Sequence, residues 1–146
     1  MEKKKFQTTI NAPKEKVWNA LWNPDKYREW TTIFSEGSTV KTDNWKEGSK
    51  VLFLDAKGSG MVSRVAANHP NEFMSFEHLG VVQDGKEFTD EEHTKGWAGA
   101  LENYTLKGQN GKTELTVEMD ITDEYMEYFE KTWPQALEKI KELAES

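Results

Sequence analysis

The residues of this sequence that could carry acid–base chemistry are few, and they occur as adjacent pairs. Glu77 and His78 are neighbours in the apolar run from Phe73 to Leu79, and Glu102 and Asn103 are neighbours in the run from Ala98 to Lys107. In an extended chain neighbouring side chains point to opposite faces, so one member of each pair turns inward. Tyr104 shares the face of Glu102. A buried carboxyl is held protonated more readily than a solvated one and can serve as an acid. An imidazole titrates near neutrality, which makes His78 the best single acid–base candidate. The plain alternative is a rim position, a pairing of either carboxylate with Arg64 or a lysine, and a hydrogen-bonded histidine within a sheet.

Other chemistries lack their residues. There is no Cys, which removes disulfides, thiolate metal sites and thiol nucleophiles, and is consistent with a reducing cytoplasm. The three His residues, at 69, 78 and 93, fall in separate segments, so no metal site is expected from them. Asp90, Glu91, Glu92 and His93 are consecutive in a polar loop from Gln83 to Lys95 and lack the spacing of a calcium loop. No nucleophile elbow, zinc-protease helix or phosphate loop is present, and Gly58-Ser59-Gly60 is a turn rather than a dinucleotide fingerprint, so no cofactor is expected. The run Glu118–Glu130 has six acidic residues and no basic one, as suits an exposed strand face followed by a helix N-terminus. Nineteen basic residues against 26 acidic give a charge of −7. That balance argues against nucleic acid, whose phosphates need Lys and Arg, and against anionic membrane surfaces. No apolar run suits a signal peptide or a membrane-spanning helix.

The elements that must position these residues follow from hydrophobic period. Lys4–Ile10 alternates as a strand, with Phe6, Thr8 and Ile10 on one face. Asn11-Ala12-Pro13 ends it, with Pro13 suited to a first helical position. Val17, Trp18 and Leu21 stripe a short helix. Asn23-Pro24 starts a second one, with Asn23 as its cap and Tyr27 and Trp30 on one side. Strands are then predicted at Ser38–Thr42, Lys50–Asp55, Met61–Ala67, Glu72–Leu79, Ala98–Lys107 and Thr113–Ile121, separated by turns. A long helix from Asp123 to Ala144 closes the chain, capped by Thr122 or Asp123 and striped by Tyr125, Phe129, Trp133, Leu137 and Ile140. Pro134 predicts a kink in it. The length of 146 residues suits one domain spanning 1–146, and the order of elements predicts an α+β architecture.

Several local motifs carry a resemblance. Thr9-Ile10-Asn11-Ala12-Pro13-Lys14-Glu15-Lys16-Val17-Trp18, followed by Pro24-Asp25-Lys26-Tyr27-Arg28-Glu29-Trp30, is similar to the opening of SRPBCC (START-like, helix-grip) proteins. More closely it resembles their branch named for activators of the heat-shock chaperone ATPase. Gly60–Val65, Asn71–Phe76 and Lys112–Val117 look like that family's middle and penultimate strands. The resemblance implies a curved antiparallel sheet of about six to seven strands wrapped around the C-terminal helix, with two short helices after the first strand. It also implies an apolar cavity between the two, with Trp30, Phe34 and Trp45 near its mouth.

Seventeen aromatic residues supply the walls such a cavity needs. The helix offers Tyr125, Phe129 and Trp133; the strands offer Phe53, Met61, Phe76, His78 and Tyr104. Pockets of this kind are mostly apolar with a few placed polar groups. The same residues would equally fill a solid core. The leading expectation is a non-catalytic carrier or sensor of a small hydrophobic ligand, lipid-like or aromatic. The alternatives are a cyclase or aromatase using His78, Glu77 or Glu102, and a co-chaperone-like interaction module. The chain is expected to be a monomer or a homodimer paired through a sheet edge, with Lys3, Lys4 and Lys5 discouraging pairing at the first strand.

Overall fold

The computed structural model describes residues 1–146. One antiparallel sheet dominates. Its strands are β1 (Glu2–Ile10), β2 (Thr39–Thr42), β3 (Lys50–Leu54), β4 (Gly60–His69), β5 (Phe73–Gln83), β6 (Lys86–Phe88), β7 (Ala100–Gln109) and β8 (Lys112–Ile121). The spatial order is β1-β8-β7-β5-β4-β3-β2, with β6 paired to β5. Two short helices, α1 (Lys14–Trp22) and α2 (Pro24–Trp30), follow β1, and a 3-10 turn at Thr31–Ile33 extends α2. The long helix α4 (Asp123–Glu145) packs against β1, α1 and α2. This is the helix-grip architecture that the resemblance implies. No helix is long and apolar enough to cross a membrane.

Local chemistry explains the junctions. The Asn23 side chain accepts from the Asp25 and Lys26 N–H groups at 3.1 and 3.4 Å, capping α2 behind Pro24. Pro13 stands one residue earlier than expected: its ψ of 160° is extended, and its carbonyl receives the Lys16 and Val17 N–H groups. The polar stretch from Gln83 to Lys95 is not all loop. It folds into β6 and a single helical turn, α3 (Glu91–Thr94), because Asp90 caps that turn by accepting from the His93 N–H and Phe88 stacks on His93 at 4.3 Å. Helix α4 runs uninterrupted through Pro134. Pro134 and Glu130 are both exposed, so the carbonyl that loses its intrahelical partner is left to water.

The strands bend where the pairing slips. Register shifts between β4 and β5 fall at Val62/Ser63 and Val65/Ala67, and bulges of this kind raise local twist and bend the strand. Two glycines permit close backbone approach beside the first shift. A Cβ at Gly60 would lie 1.8 Å from the Phe53 carbonyl oxygen, and one at Gly80 would lie 2.1 Å from that of Phe88. The shift also sets the facing of the chemistry: Ser63 pairs with His78, and Phe76 pairs with Glu102, all on the side that holds the core.

The core lies between that concave face and α4. Ile10, Val17, Leu21, Leu115, Leu137 and Ile140 are buried at its aliphatic end. Trp22, Tyr27, Trp30, Phe76, Tyr104 and Trp133 are buried at its aromatic end. Each such side chain contributes on the order of 1.5–3 kcal/mol by leaving water.

Candidate functional site

A chain of buried polar side chains crosses the aromatic end of the core. Ser63 Oγ lies 2.7 Å from His78 Nδ1, and His78 Nε2 lies 3.0 Å from Glu102 Oε1. The Tyr104 hydroxyl donates to Glu102 Oε2 in a short hydrogen bond. The proton positions follow from donor and acceptor types. A carboxylate only accepts, so His78 donates from Nε2; in the neutral ring this leaves Nδ1 to accept from the Ser63 hydroxyl. Every hydrogen bond in the chain therefore runs toward Glu102.

Strand alternation brings these four groups together. Ser63 lies on β4, His78 on β5, and Glu102 and Tyr104 two apart on β7. Ser63 and Tyr104 are essentially inaccessible, whereas the Glu102 side chain keeps 17% of its surface exposed and that of His78 keeps 9%. Burial, and then the Glu102 charge, hold the Tyr104 phenol well above its ordinary pKa. The same two causes in the same order raise the buried Tyr27. Both phenols thus stay protonated, and that of Tyr104 is the donor to Glu102.

Glu77, the alternative inward carboxylate, points to the other face. It accepts from Arg64 Nε and Nη2 at 3.0 and 2.8 Å, the surface pairing weighed from the sequence. Asn103 also turns away from the chain and accepts from Ser75 Oγ at 2.5 Å.

Around the polar chain the rings form a continuous array. Trp22 meets Tyr104 and Phe76 at 4.9 and 5.4 Å between centroids. Phe53 meets Phe76 at 5.1 Å and the His78 ring at 6.2 Å. Trp45 joins through Phe76 and Trp22 at 5.8 and 5.0 Å. Trp133 contacts Tyr104, Trp30 and Phe34 at 6.1, 5.9 and 5.1 Å, and Phe129 contacts Phe34 at 6.3 Å. Edge-on contacts of this sort add about 0.5–1.5 kcal/mol beyond burial. Two members are strained in another sense: the indole N–H groups of Trp22 and Trp133 are buried without a partner, while that of Trp30 donates to the Leu21 carbonyl at 3.1 Å. An unpaired buried donor costs roughly 1–3 kcal/mol.

Of the side chains predicted to line a pocket, Trp30, Phe34, Trp45, Phe53, Phe76, His78, Tyr104, Phe129 and Trp133 are thus joined in one array. Met61 is half-buried on β4, paired with Phe53 across the β3–β4 ladder. Tyr125 is the exception. It stands 52% exposed in the first turn of α4, because the apolar stripe of that turn is carried by Met126 and Phe129 instead. The space between helix and sheet is occupied by these rings. A groove of about 530 Å³ lies elsewhere, between α2 and the outer side of α4, and of the predicted residues it is lined only by Trp30. Sequence reasoning did not single out Ser63, Trp22 or Tyr27. Ser63 was detectable as the one hydroxyl on a strand face otherwise made of Met61 and Val65.

Comparison with known proteins agrees with this architecture. The model of the activator of Hsp90 ATPase homolog 1-like family matches residues 11–145. The fold is similar to the Aha1 dimer from Colwellia psychrerythraea, solved in solution, at a TM-score of 0.73, with 19% identity over 99% of this chain and 97% of that one. A Mesorhizobium loti protein superposes at 0.72, with 20% identity and 97% and 96% of the two chains covered. A protein of Cytophaga hutchinsonii does so at 0.70, with 24% identity over 97% and 92%. No curated protein matches by sequence. With a matched segment that takes in both short helices, the whole sheet beyond β1 and all of the grip helix, the chain belongs to the activator of Hsp90 ATPase homolog 1-like family of the SRPBCC superfamily.

Proposed function

We propose that the domain binds a small, mostly apolar molecule at the aromatic end of the grip and releases it unchanged, as a carrier or sensor. One observation carries the reading. A hydrogen-bonded polar chain lies among packed rings, and around it Phe34, Phe53, Met61, Met126 and Phe129 remain partly exposed. Ligand sites combine apolar walls with a few oriented polar groups in this way. The affinity comes chiefly from apolar area removed from water at about 25 cal/mol per Å².

The test is a titration with fatty acids, flavonoids and polyketide-like aromatics, followed by Trp fluorescence and by melting temperature. The expected result is quenching together with a higher melting temperature for at least one class. If no compound moves either signal, the reading fails.

A second reading, an enzyme of the cyclase or aromatase type, is favoured by the 3.0 Å bond between His78 and Glu102, which fixes a tautomer as acid–base catalysis requires. Turnover that survives both His78→Ala and Glu102→Gln would exclude it. The family description also permits a co-chaperone-like module. Ile33 and Tyr128, both exposed, would then belong to its contact surface, and their replacement would abolish retention of a chaperone.

A further inference from the structure

The direction of the hydrogen bonds restricts what the site accepts. Ser63 donates to His78, His78 donates to Glu102, and Tyr104 donates to Glu102. A carboxylate has about four lone-pair positions, and these bonds use two. The remaining two belong to the member of the chain most open to solvent, Glu102, at 17% against 9% for the His78 side chain. The only side-chain cation partner within salt-bridge reach of Glu102 is His78 itself; Arg64 is committed to Glu77 on the opposite face, and Lys4, on the register row of Glu102 through Met119, is paired with Glu130 of α4. What the polar chain offers to an incoming molecule is therefore acceptor capacity and negative charge, with no donor.

We infer that the preferred ligand is an apolar molecule whose polar end is a hydroxyl, phenolic or alcoholic, and that carboxylate-headed molecules such as fatty acids are rejected at Glu102. This rests on the carrier reading above and names its ligand class. A hydroxyl can donate to a free lone pair of Glu102 while its apolar body lies against Phe53, Phe34 and Phe129. A carboxylate meets the like charge of Glu102, and the polar chain, whose own donors are all committed within it, offers nothing to offset its loss of water. An ether of the same shape suffers no repulsion, yet leaves Glu102 with nothing in place of the water it displaces.

The experiment compares three probes of one shape, naphthol, its methyl ether and naphthoate, by isothermal titration calorimetry at neutral pH. Naphthol is expected to bind tightest, the ether weaker, and naphthoate weaker than naphthol by about tenfold or more, a factor worth about 1.4 kcal/mol. Glu102→Gln keeps the side-chain shape and adds a donor; it is expected to bring naphthoate within about threefold of naphthol. Equal binding of the three probes to the unaltered protein overturns the inference while leaving the carrier reading standing. Binding of none of them overturns both. The comparison on the unaltered protein needs no variant to fold, and a Glu102→Gln protein that folds yet keeps the full preference also overturns the inference.

Discussion

The two ends of the grip are built from different materials. At the aliphatic end, β1, α1, β8 and the C-terminal half of α4 close over Ile10, Val17, Leu21, Leu115, Leu137 and Ile140, all 5% exposed or less. At the aromatic end the same sheet and helix close over rings, a carboxylate, an imidazole and two phenols, and two indole N–H groups go unpaired. Aliphatic packing is cheap in polar terms and leaves nothing to recognise. The aromatic end carries unpaired and charged groups at a cost in stability, and it is the end whose rim stays partly open. On the proposed carrier function, folding belongs chiefly to one half of the core and recognition to the other.

The largest effect that would sharpen this division is at the aliphatic end. Ile140→Ala removes a fully buried side chain from α4 and should lower the unfolding free energy by about 2–5 kcal/mol in urea, while naphthol affinity of the folded fraction stays unchanged. Loss of binding in step with loss of stability would break the division.

The next effect is alkaline and belongs to the aromatic end. Folding raises the pKa of Tyr27 and Tyr104, so above about pH 10 the unfolded chain loses protons that the folded chain retains. Stability is therefore full below that pH and falls as pH rises, by up to about 1.4 kcal/mol per pH unit for each tyrosine. Tyr104→Phe should roughly halve the slope; at neutral pH it should cost about 1–3 kcal/mol, because Glu102 loses a donor. An unchanged slope would remove the phenols from the account.

The smallest effect is the control. Arg64→Gln breaks the 2.8 Å pair with Glu77 on the opposite face of the sheet, where both partners are partly solvated. Equilibrium unfolding should change by no more than about 1 kcal/mol, with binding unaltered.

The two ends also differ in how far the sequence announces them. Period-two and helical patterns reach the aliphatic end directly: Leu115, Val117, Met119 and Ile121 alternate as expected, and Leu137 and Ile140 follow the stripe of α4. The same rules left Glu77 against His78 open, since alternation says that one turns inward and not which. The register of β4 on β5 decides it, and that register depends on a bulge that no local pattern marks. Tyr125 shows the opposite error. Its spacing fits the stripe, yet the first turn of a helix can extend beyond the surface it packs on, and the position stands in water. The β6–α3 segment was missed because a side-chain cap and one ring stack organise it, contacts that hydrophobic period does not report.

The ring array has an optical consequence. Trp18, Trp22 and Trp45 touch in sequence, Tyr27 joins Trp45 to Trp30, and Trp30 touches Trp133, so five of the six indoles sit within one run of contacts. Chromophores this close exchange excitation before they emit. A molecule that quenches any one of them drains the others, and the emission of the domain reports a single binding event as if it came from one large antenna. Trp97 lies outside that run and supplies the internal reference against which the antenna can be read.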